Sequence, residues 1–285
     1  IGRALLDSPG TVMYLQCDVF SIVEKTTTLL WTSRAPCDAI VLAGVLRSNS
    51  TLTSLNLAAT GDIGDYEREE LGRALLTNPY GKVGFCDIYR LQETTGNTYL
   101  MDLKDKDQIR SRRSFTLFAG LLRANSTLTC LTLSSIQPEH IDVLAEALAT
   151  NTTMKELKLE QPSKSADTAI ATLPVQLLNG AAGADSIDLS EAGVKLTDAS
   201  GGFQPCHRHA CGVVGAILGA SANTSIRRLK INPGGGAEGG AVLEHLHRAK
   251  KSSLCVLDLT GIGLGDRGGA KIFETLIEGK CDFLN

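Results

Sequence analysis

The sequence predicts an α/β solenoid, with a parallel sheet of short strands on the concave face and helices on the convex face. Three observations predict it. First, VLAGVLRSNSTLTSLNL (41–57) and LFAGLLRANSTLTCLTL (117–133) are near copies. Second, Asn49, Asn125, Asn151 and Asn223 each carry apolar residues at +3, +6 and +8. Third, successive copies step by one helix plus one strand, as from Asn125 to Asn151 and, with a nearly equal step, from Leu229 to Leu257. Self-similarity at such a period is the signature of stacked repeats.

Each copy opens with an apolar helical stretch that ends near the Asn. After Asn49 come Leu52, Leu55 and Leu57; after Asn125, Leu128, Leu131 and Leu133. After Asn151 come Met154, Leu157 and Leu159; after Asn223, Ile226, Leu229 and Ile231. Weaker copies end at Ile187 and Leu189 and at Leu254, Leu257 and Leu259, and partial copies occupy 1–9 and 268–279. The +6 and +8 residues are expected to point inward, because strand side chains alternate. The Asn is expected to cap its helix in the left-handed conformation that Asn tolerates.

A longer duplication overlies the short one. GRALL recurs at 2–6 and 72–76, and CDVF (17–20) returns as CDIY (86–89). The step from Leu15 to Leu55 is half as long again as that from Asn125 to Asn151, too long for one unit. The excess reads as an inserted β-hairpin, VFSIV (19–23) against TLLWT (28–32). A second is expected from IYRLQ (88–92) against TYLMDL (98–103). Alternating apolar residues around a short polar turn are the signal.

The unit LxxLLxxNxxLxxLxL…IGxxGA resembles the leucine-rich repeat family, in its ribonuclease-inhibitor-like, long-repeat class. It stands here as LAGVLRSNSTLTSLNLAATGDI and LHRAKKSSLCVLDLTGIGLGDRGGA. The resemblance covers nearly the whole chain. It implies a horseshoe: one domain over 1–285 of about eight or nine units. A chain that begins at Ile1 and stops at Asn285 in an apolar, strand-like run is expected to be part of a longer protein. The hairpins are departures from the standard unit.

Composition narrows the function. There are 28 Lys+Arg against 31 Asp+Glu, a net charge of −3, which argues against bulk neutralisation of nucleic-acid phosphates. Aromatic residues are only 5%, which weakens any stacking on bases or sugars. Eight Cys in a chain this long read as reduced, mostly buried thiols of an intracellular, cytoplasmic protein. A ciliary or organellar assembly is the alternative location. No apolar run reaches the length of a transmembrane helix.

Several local patterns invite chemistry. The four repeat Asn all head Asn-x-Ser/Thr triplets, yet they fall on one repeat position, so they read as caps rather than glycan acceptors. Gly234, Gly236 and Gly239, and Gly263, Gly265 and Gly268, match G-x-G-x-x-G, but they fill the turn the repeat needs. Cys206, His207, His209 and Cys211 are a metal candidate by residue type. Such close packing of four ligands along the chain is unlike the usual paired spacing, and a polar loop leading into a helix is the preferred reading. The acidic run from Asp62 to Glu70 reads as a solvated helix start, and Arg110, Arg112 and Arg113 as a solvated loop. No catalytic residues and no cofactor are expected.

The concave face remains. Its expected exposed residues are Tyr14, Gln16 and Asp18; Ser54 and Asn56; Cys130 and Thr132; Glu156, Lys158 and Glu160; Ser186, Asp188 and Ser190; Arg228, Lys230 and Asn232; and Asp258. An acidic centre and a basic patch near Arg228 and Lys230 suit a protein partner carrying both signs. The expectation is a non-enzymatic interaction or scaffolding module, or a structural subunit of a larger assembly. The resemblance also implies two alternatives: a regulator of a small GTPase, and the ligand-sensing repeats of an immune-type receptor.

Overall fold

The computed structural model describes residues 15–16, 21–23, 25–31, 35–57, 63–80, 82–86, 98–102, 111–161, 169–188, 205–219, 226–230, 255–258 and 270. The chain divides into two compact units: Ile1–Asn97 with Lys106–Leu128, and Thr98–Asp105 with Thr129–Asn285.

The first unit holds strands β1 (Leu15–Gln16), β2 (Ser21–Ile22), β3 (Thr28–Leu30), β4 (Ser54–Asn56) and β5 (Phe85–Cys86). Its helices are α1 (Pro36–Leu46), α2 (Asp65–Thr77) and α3 (Arg112–Ala124). β3, β4 and β5 form one parallel sheet, with Leu29 opposite Leu55 and Leu55 opposite Cys86. β1 and β2 form a separate antiparallel pair, Leu15 opposite Ile22. This corrects the first expected hairpin. TLLWT is not its second arm, because Leu29 precedes Leu55 by the same step that separates Asn125 from Asn151, and it supplies a strand to the parallel sheet. The first arm of the second hairpin lies outside the described residues.

Local chemistry explains the helices. Pro36 opens α1, where its missing N–H costs nothing. Asp65 and Glu67 sit in the first turn of α2, favoured by the helix dipole. Ser111 caps α3, its Oγ accepting from the Ser114 N–H at 3.2 Å. That hydroxyl also donates to Asp65 Oδ2 at 2.6 Å. Arg112 and Arg113 oppose the dipole at the start of α3, and Glu69 offsets this by holding Arg113 at 3.1 Å. Arg112 and Arg113 therefore begin a helix, not a loop. Arg68 is buried, at 4% exposure, so the start of α2 is less solvated than its charges suggested.

α2 and α3 pack at glycines. A Cβ on Gly72 would strike the Thr116 backbone, and one on Gly120 would come within 2.8 Å of the Gly72 carbonyl oxygen. Both positions therefore exclude a side chain, and the helices approach backbone to backbone.

The second unit holds β6 (Thr98–Asp102), β7 (Cys130–Ser134), β8 (Glu156–Gln161), β9 (Ala169–Pro174), β10 (Ser186–Asp188), β11 (Arg228–Lys230) and β12 (Val256–Asp258). Its helices are α4 (Pro138–Thr150), α5 (Val175–Leu178) and α6 (Pro205–Gly219). β6, β7 and β8 run parallel, with Leu131 opposite Leu157 and Leu133 opposite Leu159. β10, β11 and β12 form a second parallel sheet, with Ile187 opposite Leu229 and Leu229 opposite Leu257.

β9 breaks the parallel order. It pairs antiparallel to β8, Leu157 opposite Leu173. Only residues 162–168 separate the two strands. A parallel crossover needs about a dozen residues or more, so this link permits only a hairpin.

The interior follows the repeat. Leu52, Leu55, Leu57, Leu128, Leu131, Leu133, Met154, Leu157 and Leu159 are all buried, none above 1% exposed. The repeat Asn act differently from expectation. Asn125 and Asn151 are the C-caps of α3 and α4, with φ −67°, ψ 126° and φ −76°, ψ 118°. That is extended backbone rather than left-handed: the cap N–H groups donate back to Leu122 O and Ala147 O, and the side-chain oxygen serves the turn that follows. Asn125 Oδ1 accepts from the N–H of Thr127 at 3.1 Å and of Leu128 at 2.8 Å. Asn49 and Asn151 accept in the same way from the N–H groups of Thr51 and Leu52 and of Thr153 and Met154. These bonds turn the chain from the helix end into the next strand.

Candidate functional site

Strand alternation sorts each sheet into a buried side and an outward side. In the first unit the outward rows are Thr28–Ser54 and Leu30–Asn56, by register. Ser54 and Asn56 are half-buried, and Leu30 is 57% exposed. Gln16 is exposed, but it lies on the separate β1–β2 pair and is not in a row with Asn56. Tyr14 and Asp18 lie outside the described residues. The outward neighbour of Asn56 is thus Leu30, which the sequence reading missed. The signal was present: Leu30 precedes Asn56 by one full repeat step.

In the first sheet of the second unit, the rows across β7, β8 and β9 are Cys130–Glu156–Pro174, Thr132–Lys158–Thr172 and Ser134–Glu160–Ile170. Glu156 is exposed, Lys158 and Glu160 are half-buried, and Ile170 is 42% exposed. Lys158 Nζ stands 3.9 Å from Glu156 Oε2, a loose pair. Glu160 Oε2 accepts from Ser134 Oγ at 3.1 Å. Thr132 is buried, at 7% exposure, which corrects its expected place on the open face. A short side chain in register beside the long Lys158 is readily shaded by it.

In the second sheet of this unit the rows are Ser186–Arg228–Val256 and Asp188–Lys230–Asp258. Lys230 Nζ pairs with Asp188 Oδ2 at 2.7 Å. The expected basic patch is therefore half neutralised within the sheet, leaving Arg228 exposed beside the exposed Val256. Ser190 and Asn232 lie outside the described residues.

The remaining motifs take structural places. Asn49, Asn125 and Asn151 are buried, at 5% exposure or less, with their amides hydrogen-bonded inside the fold. A glycan there would require the turn to open. Asn223 and both G-x-G-x-x-G segments lie outside the described residues. Cys206, His207, His209 and Cys211 all fall within α6, not in a loop before it. At about 3.6 residues per turn these four positions spread over about 200° of the helix. Among the described residues no group of three or more His, Cys, Asp or Glu could hold a metal.

Two further Asn, which the repeat pattern did not single out, tie neighbouring helices together. Asn78 Nδ2 donates to Leu46 O at 2.6 Å and Asn49 O at 2.7 Å. Asn179 Nδ2 donates to Leu148 O at 3.0 Å and Asn151 O at 2.7 Å. Both lack apolar residues at the full set of +3, +6 and +8 positions. Their legible signal was the helix-end string, ALLTN at 74–78 and QLLN at 176–179.

A polar cavity of about 360 Å³ opens in the first unit, lined by Thr53, Lys82, Gly84, Ala124, Asn125, Ser126 and Thr127. Thr53 Oγ1 donates to Thr27 O, and Thr127 Oγ1 lies 3.3 Å from Asn125 Oδ1 and donates to it. Those hydroxyl protons are committed to the fold, and Lys82 is the one charged residue of the lining. No helix among the described residues is long and apolar enough to cross a membrane. The chain matches no protein-family model and no curated protein.

Proposed function

We propose that this protein is a non-enzymatic protein-interaction or scaffolding module built from leucine-rich-type repeats, and that the outward strand positions bind the partner. One observation carries the reading. Large aliphatic side chains stand exposed at outward strand positions, each in register with a polar or charged neighbour. The pairs are Leu30 with Asn56, Ile170 with Glu160, and Val256 with Arg228. An exposed aliphatic group in register with a polar neighbour offers a partner apolar area and an orienting polar contact at the same point. Mixed charge adds orientation and selectivity more than raw affinity.

The test is quantitative co-purification from native material with mass spectrometry. The full chain is compared with Glu156→Lys/Glu160→Lys and with Glu146→Lys, an exposed change on α4. Proteins lost with the strand variant and retained with the helix variant support the proposal. Equal retention by all three overturns it.

A further inference from the structure

We infer that Arg228, with Ser186 and Val256 beside it, is the anchor point for an acidic side chain of the protein partner, followed there by an aliphatic residue. This rests on the interaction-module reading and names the partner's chemistry at one row.

Two outward cations stand on β11, and the structure separates them. Lys230 lies between two acids in register, Asp188 and Asp258, and already holds Asp188 at 2.7 Å. Arg228 lies between Ser186 and Val256, and neither can neutralise it. Among the described residues no acid comes within ion-pair distance of Arg228. Its backbone is fixed, because its N–H donates to Asp185 O at 3.1 Å and its strand is hydrogen-bonded on both sides.

The row therefore presents a hydroxyl, a planar guanidinium and an exposed isopropyl group side by side. A carboxylate suits the centre, since guanidinium and carboxylate match in bidentate geometry. The Ser186 hydroxyl adds a donor from the flank. Val256, at 41% exposure, offers apolar area to the residue next to the acid. Arg is also a residue type enriched at the energetic centres of protein interfaces.

The experiment titrates the full chain with acetyl-Glu-Leu-amide and follows backbone amide shifts by NMR. Saturable shifts at Ser186, Arg228 and Val256 are expected within about 20 mM, the range of a single small contact. Acetyl-Gln-Leu-amide should bind about two- to fivefold more weakly, the weight of one solvent-exposed charged contact. Arg228→Gln should abolish saturation, Arg228→Lys should weaken it, and Lys230→Met should leave it in place. Equal binding of both peptides, retained saturation in Arg228→Gln, or no saturable shift in the wild type would overturn the assignment. So would equal saturation by inorganic phosphate, which would mark a bare anion site. If these fail while Glu156→Lys/Glu160→Lys still loses a partner, the assignment to Arg228 falls and the interaction module stands.

Discussion

The two units have interiors of the same kind and differ on their outward faces. In the first, Leu55 is buried between Leu29 and Cys86; in the second, Leu157 is buried between Leu131 and Leu173. Asn78 closes on Asn49 as Asn179 closes on Asn151, down to the same pair of carbonyls at the preceding helix end. Outward, the first unit presents Thr28, Leu30, Ser54 and Asn56, all uncharged. The second presents Glu156, Lys158, Glu160, Asp188, Arg228, Lys230 and Asp258. Repeat packing constrains the inward positions and leaves the outward ones free. What varies between like units is thus where the proposed recognition would be written, and under that proposal the charged unit supplies the selectivity.

The largest expected effects test those interiors. Leu55→Ala and Leu157→Ala each remove a fully buried side chain, and each should cost about 2–5 kcal/mol. Urea denaturation of both variants checks this, and a cost confined to one unit would show that the interiors are not equivalent. Gly72→Val should be as severe but local, because the added branch meets the Thr116 backbone, which cannot move aside. Hydrogen exchange should rise in α2 and α3 while the amides of β7 and β8 keep their protection. Uniform loss of protection would mean that the two units unfold as one.

The Asn turns come next. Asn125→Ala and Asn151→Ala strip the acceptor from two backbone N–H groups, one of them in a buried bond at Leu128 or Met154. An unsatisfied buried donor costs about 1–3 kcal/mol, and the two variants should agree within that range. A cost below about 0.5 kcal/mol, the level of an ordinary surface change, would show that the turns hold without the side chain.

The inward half of this architecture was legible because it is periodic. Apolar residues at +3, +6 and +8 from Asn49, Asn125 and Asn151 are all buried. Spacing also misled where two readings competed. TLLWT alternates as a hairpin arm does, yet its offset of one repeat step from Leu55 made it a repeat strand. β9 was missed because its sequence, AIATLP, belongs to no repeat, and the short 162–168 link sets its direction. Asn125 and Asn151 cap their helices as expected, but Asn49 lies two residues beyond its helix's C-cap, Arg47, and the left-handed backbone that residue type suggests is absent at Asn125 and Asn151, where side-chain hydrogen bonds that emerge only in the fold order the turn. The outward face was the least legible. Alternation lists who faces out, but not that Asp188 neutralises Lys230 or that Thr132 lies shaded.

That last distinction gives the smallest expected effect on stability. Lys230→Met removes a cross-strand pair whose side chains are 37% and 28% exposed. Solvent screens such a pair, and the loss should stay under about 1 kcal/mol. Met keeps an unbranched stem over the sheet, so packing is largely preserved and the charge change is isolated. Arg228→Met should cost still less, because no acid pairs with it among the described residues. Raising salt from about 0.05 M to about 0.5 M shortens the Debye length from above about 10 Å to well below it. It should narrow the stability gap between wild type and Lys230→Met and leave that for Arg228→Met unchanged. The ordering reverses for partner binding, where Arg228→Met should be the damaging change. If Lys230→Met weakened binding as much as Arg228→Met, the charge on this face would act as one diffuse field rather than through a single unpaired guanidinium.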